Sequence, residues 1–234
     1  MNPTDFEKII YTVNDGVALV TLDNSERRNA WGGRMSVEYR WALHHAHIDT
    51  DVRVVVVTGG GEDFCVGADS QDLKTIEQSG GNYQKTKLEL PPYPEGTPES
   101  FQRNHAYPLS ISKPIIAAVN GACAGVGFLV ASYADFRFGA SNNKIKSSFA
   151  RLGLPAEYGL GWLLPRMMGR ANALQILLDG DRIDGQEALR LGWLQKLHEP
   201  EELLNKTLEY AKKLAKESSG FSMACMKRQI NFDA

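Results

Sequence analysis

The sequence predicts an α/β fold built on a largely parallel sheet. Residues 51–58, DVRVVVVT, hold an unbroken β-branched run of the kind that suits a strand covered on both faces. Strand-like and helical runs alternate along the chain, which is the order of βαβ units. The chain has 234 residues, 43% of them hydrophobic, enough for one sizeable core without disulfide staples.

The elements follow in order. EKIIYTV and GVALVTL, joined by Asn14-Asp15-Gly16, read as a hairpin over 7–23. A polar loop, NSERRNAWGG, carries the adjacent Arg27 and Arg28. Met35, Val37, Trp41, Leu43 and Ala46 are spaced for a helix from Arg34 to Ile48. The strand over 51–58 ends at Gly59-Gly60-Gly61, and a loop then turns into a short helix near Ser70. Residues 79–100 are polar and rich in Gly and Pro, a loop composition. A helix is expected from Pro98 to Ser110, stopped by Pro108. Pro114 to Val119 and Phe136 to Ala140 read as strands, with a glycine turn and an apolar helix between them. Helices follow within GLGWLLPRMMG, over Ala171–Leu178, after Asp184, over Glu199–Glu217 and at the C-terminal end. The amphipathic pattern of 199–217 suits a helix covering the chain's own core.

Bulk chemistry excludes several classes. A net charge of −2 argues against a general nucleic-acid binder. Cys65, Cys123 and Cys225 have no metal spacing and cannot all pair, so a reduced, cytoplasmic protein without a metal is expected. The polar start MNPTDFEKII has no signal-peptide core, and no apolar run reaches the length of a membrane span.

The chemistry centres on NGACAGVGFLVASYAD, residues 120–135. A glycine turn opening a helix leaves backbone N–H groups free for an anion. The turn lacks a P-loop Lys, so the anion need not be a phosphate; it can be charge that develops in a transition state.

Taken together, NSERRNA, DVRVVVVTGGGEDFCVGADSQDL, SKPIIAAVNGACAGVGF with YADFRFGA, FARLGLPAEYGLGWLLPRMMG and DGDRIDGQEALRLGWL resemble the crotonase, or enoyl-CoA hydratase/isomerase, superfamily across nearly the whole chain. The resemblance implies a crotonase-like ββα spiral over 1–195 and a C-terminal helical, trimerisation region over 196–234, shortened relative to the family. It also implies a homotrimer or hexamer, an acyl-CoA substrate and no cofactor beyond the coenzyme A of that substrate.

On the family pattern the oxyanion donors are the N–H groups of Ala68 and Val126. Coenzyme A would meet backbone around Cys65, Val66 and Ala68, with Arg27 or Arg28 near its phosphates. Asp69 is as well suited to local capping as to ligand contact. The two hydratase glutamates are absent, because Leu129 and Phe149 stand at their positions. Glu157, in PAEYG, falls where several family isomerases keep one catalytic carboxylate. The resemblance therefore implies a single-carboxylate proton shift, with Leu129, Phe149 and Trp162 forming an apolar substrate pocket around it. Tyr158 and His105 are second-rank candidates. The alternatives are a hydratase with a relocated carboxylate, a thioester or C–C hydrolase, and a non-catalytic acyl-CoA-binding protein.

Overall fold

A computed structural model describes residues 1–71, 88–103 and 105–232. Its main sheet has six strands: β1 (Ile9–Asn14), β2 (Val17–Leu22), β3 (Val54–Gly59), β4 (Ile115–Val119), β6 (Phe136–Ala140) and β8 (Lys196–His198), in the order β1-β2-β3-β4-β6-β8. Among the described strands of this sheet, only β1 and β2 pair antiparallel. Asp15 and Gly16 both take positive φ in the turn between them, 50° and 77°, which matches the twist of a two-residue hairpin. Two short strands, β5 (Ala122–Ala124) and β7 (Lys144–Lys146), form a separate parallel pair.

All of β3 and all of β4 are buried because both sheet faces are covered. On one face, Val54, Val56, Ile116, Ala118 and Phe138 pack with Leu203, Ala211 and Ala215. Those last three belong to α6 (Pro200–Glu217), so this helix covers its own chain's sheet, as its pattern predicts. The opposite face, with Val55, Val57, Ile115, Ala117 and Val119, belongs to the larger core under α1 (Gly33–Ile48). Alternation along each strand is what sends neighbouring residues to the two cores.

The other α-helices among the described residues include α2 (Val126–Ser132), α3 (Leu160–Met168), α4 (Arg170–Leu178), α5 (Gly185–Arg190) and α7 (Gly220–Phe232). Asp184 caps α5, accepting from the Glu187 N–H at 2.8 Å. Lys227 anchors α7: its Nζ donates to Asp135 Oδ2 at 2.7 Å, and that oxygen also accepts from the Ile115 N–H at 2.7 Å.

Two expectations need comment. The helix over 98–110 does not form; 3₁₀ turns at Glu99–Phe101 and Tyr107–Ser110 stand there instead. Proline is favoured in the first turn of a helix, and Pro108 accordingly opens a new turn rather than ending an old one. The helix expected after Ser70 and the first part of the 79–100 loop lie outside the described residues. Among the described residues, no helix is long and apolar enough to cross a membrane.

Candidate active site

Glycine brings the two halves of the site together. A Cβ on Gly121 would stand 1.9 Å from the Glu62 carbonyl oxygen, and one on Gly127 would stand 2.2 Å from that of Cys65. Only glycine lets the 62–65 chain lie this close to the start of α2. The two chains are stitched together. The N–H groups of Phe64 and Cys65 donate to Ala122 O at 3.1 Å, and the Ala124 N–H donates to Cys65 O at 3.0 Å. Asn29, fully buried, donates to Gly60 O and Asp63 O at 2.9 and 2.7 Å and holds the preceding loop.

This pairing leaves two N–H groups over. The Trp31 N–H donates to Gly67 O and the Asp69 N–H to Trp31 O, a parallel bridge that skips the Ala68 N–H. The Val126 N–H opens α2, where no preceding turn supplies an acceptor. Neither N–H has a hydrogen-bond partner among the described residues. The loops that carry them meet closely: a Cβ on Gly125 would lie 3.7 Å from Gly67 Cα. Gly125 takes the positive φ, +51°, so Val126 needs no left-handed conformation. Below, Phe128 stacks on Trp193 at 4.9 Å, and the Trp193 Nε1–H donates to Ser132 Oγ, giving α2 a rigid floor.

The groups expected for coenzyme A are unequally available. Cys65 is buried, with its thiol pushed up to about 12 by burial, and its backbone N–H and carbonyl are already bonded to the 122–124 chain. The Val66 N–H donates to Arg28 O at 3.3 Å. Ala68 is exposed. Arg27 Nη2 is paired with Asp69 Oδ1 at 2.6 Å, and the same oxygen accepts from the Gln71 N–H, so Asp69 acts locally. Arg28 grips Asp63 through two bonds, 2.6 and 3.2 Å, and holds its carboxyl below the usual carboxylate range. A phosphate near either arginine would share it with a carboxylate.

Glu157 begins a 3₁₀ turn, Glu157–Gly159, and is partly buried. The next residue, Tyr158, has φ 52° and ψ 31°. Tyr133 Oη donates to the Tyr158 carbonyl, and the His105 ring meets the Tyr158 ring edge-on at 4.7 Å. Burial, with Arg40 nearby, lowers the His105 imidazole to about 4, so it is neutral at pH 7. On its other side His105 lies 6.2 Å from Trp31, the residue bridged to Ala68.

The three residues expected to line one pocket occupy different settings. Leu129 and Phe149 are buried in the main core. Trp162 is at the surface on α3, with the Arg166 guanidinium 4.3 Å over its ring. It lines a cavity of about 390 Å³ with Phe101, Tyr133, Tyr158 and Phe232. Nothing in the local sequence marks Phe101 or Phe232 as lining residues, because α7 brings Phe232 back from the far end of the chain.

A sequence model described as Enoyl-CoA hydratase/isomerase matches residues 12–233. The chain belongs to this family. It is 30% identical over 228 residues to the 1,2-epoxyphenylacetyl-CoA isomerase of Escherichia coli K12, covering 96% of this chain and 82% of that one. It is 36% identical over 187 residues to a probable enoyl-CoA hydratase of Rhodobacter capsulatus, covering 80% and 67%. A crystal structure of an enoyl-CoA hydratase from Mycobacterium marinum superposes with a TM-score of 0.76 at 34% identity, over 97% of this chain and 98% of that one. Names of both reaction types therefore occur among the relatives.

Proposed function

We propose that this family member isomerises enoyl-CoA thioesters by a proton shift with one carboxylate, Glu157. The observation that carries the reading is the combination of two N–H groups on adjoining loops, Ala68 and Val126, that have no partner among the described residues, with buried, apolar Leu129 and Phe149 at the positions where the family pattern puts the hydratase glutamates. With a 3-enoyl-CoA bound, Glu157 takes a proton from C2. Charge moves onto the thioester oxygen, where the Ala68 and Val126 N–H groups stabilise it, each donor contributing about 3–4 kcal/mol. The protonated Glu157 then returns the proton to C4, leaving the 2-enoyl thioester. Coenzyme A enters only as part of the substrate. The reading carries with it the homotrimer or hexamer of the family.

The test uses trans-3-hexenoyl-CoA and trans-2-hexenoyl-CoA with the wild type and Glu157→Gln. Conversion of the 3-enoyl to the 2-enoyl thioester, lowered about 10²-fold or more in the variant, supports the reading. Hydration of the 2-enoyl substrate, release of free coenzyme A thiol, or tight binding without turnover would each replace it with one of the alternatives.

A further inference from the structure

Tyr158 directly follows Glu157 and holds a left-handed backbone, φ 52° and ψ 31°. A bulky residue adopts that conformation only where its surroundings impose it. Here the restraint comes from α2. Tyr133, the residue that closes this helix, donates its hydroxyl to the Tyr158 carbonyl. Gly159 completes the fit: a Cβ there would stand 2.7 Å from Tyr133 Oη, so a side chain would compete with the hydroxyl for the same space. The His105 ring braces the Tyr158 side chain from its edge.

Tyr133 is only 3% exposed. Burial pushes its hydroxyl up to about 12, so it remains a donor through the ordinary pH range. The first residue of the same helix is Val126. One rigid element thus carries the Val126 N–H at one end and the hydroxyl that holds the Glu157 turn at the other. Seven helical residues at about 1.5 Å each set these ends about 10 Å apart.

We propose that Tyr133 is a positioning residue: through the Tyr158 carbonyl it fixes the Glu157 turn relative to the thioester-oxygen site at Val126. The inference rests on the reading of Glu157 as the base. It assigns a role in proton transfer to a tyrosine that touches no reacting atom. Displacing a catalytic group by about 1 Å can cost about 10²-fold in rate, so loss of one hydroxyl can be visible in turnover.

The test is a cycle of Tyr133→Phe, Glu157→Gln and the double variant, assayed on trans-3-hexenoyl-CoA, with thermal melts run alongside. Tyr133→Phe should lower kcat roughly 10- to 100-fold with KM unchanged and the fold retained. In the Glu157→Gln background the same change should lower the residual rate no further, because Tyr133 acts only through Glu157. Gly159→Ala, which crowds the hydroxyl and also strains a backbone held at φ +83°, should lower Tm but show the same kcat split, and supplies a second route if Tyr133→Phe does not fold. A wild-type kcat in Tyr133→Phe, or an equal loss with and without Glu157, overturns the proposal while leaving Glu157 as the base. A wild-type rate in Glu157→Gln overturns the base and the positioning role together.

Discussion

Gly127→Ala tests the packing that brings Ala68 and Val126 together. In an ordinary helix this change is favourable by about 1 kcal/mol. Here the new Cβ would lie 2.2 Å from Cys65 O, 2.8 Å from Cys65 Cβ and 2.9 Å from Cys65 C. The closest of these falls short of an ordinary contact by about 1 Å. Neither side yields easily: Cys65 is bonded through its N–H and carbonyl to residues 122 and 124, and α2 is fixed by the Phe128–Trp193 stack. Overpacking of this kind costs about 1–3 kcal/mol, so the net effect is a loss of up to about 2 kcal/mol. In a domain of this size that lowers Tm by up to about 8 °C. The loop carrying Ala68 must move away from α2, and turnover of trans-3-hexenoyl-CoA should fall about 10²-fold. Gly153→Ala is the control. Its Cβ meets nothing within 4 Å, and its φ is +70°, so it should cost about 1–2 kcal/mol of backbone strain and leave the rate alone. A Gly127→Ala protein with an unchanged or raised Tm and wild-type turnover would refute the argument.

Other expectations can be checked together. Lys227→Met should destabilise the protein by about 3 kcal/mol in urea unfolding, because it leaves the partly buried Asp135 carboxylate without its ammonium; an unchanged midpoint would show that the pair does not anchor α7. His105 has a folded-state value of about 4, below its unfolded value near 6.5, so its contribution to stability is complete above pH 6.5 and lost as pH falls towards 4. His105→Phe should therefore remove about 3 kcal/mol of pH dependence from that window, read from denaturation midpoints. Asp63, also depressed in the folded state, stabilises above its unfolded value near 3.9 and loses that contribution at lower pH. Asp63→Asn should flatten stability below about pH 4 and leave the pH 5–6 range parallel to wild type.

Much of the framework was legible in residue patterns. The β-branched run of β3 reads as a strand covered on both faces, and Asn14-Asp15-Gly16 reads as a hairpin turn because these residues accept positive φ. Asp184 announces a helix start, and 199–217 announces a helix with one apolar face. Each is a local property, set by neighbours a few residues away. The three-residue strands β5, β7 and β8 are too short to carry a period, so pairing alone defines them. Residues 98–110 failed as a helix because proline chemistry outweighed the general pattern.

The candidate site divides in the same way. By itself the sequence determined the glycines that permit close approach, the apolar Leu129 and Phe149, and the presence of Glu157. The tertiary structure alone decided that Arg27 and Arg28 are matched to Asp69 and Asp63, that the Cys65 backbone is already bonded, and that Trp162 is half-exposed while Leu129 and Phe149 are buried. It also decided that Tyr133 reaches the turn after Glu157. The physical reason is range. Backbone conformation and periodicity are written in adjacent residues, whereas a hydrogen bond between positions 25 residues apart depends on how strands and helices pack.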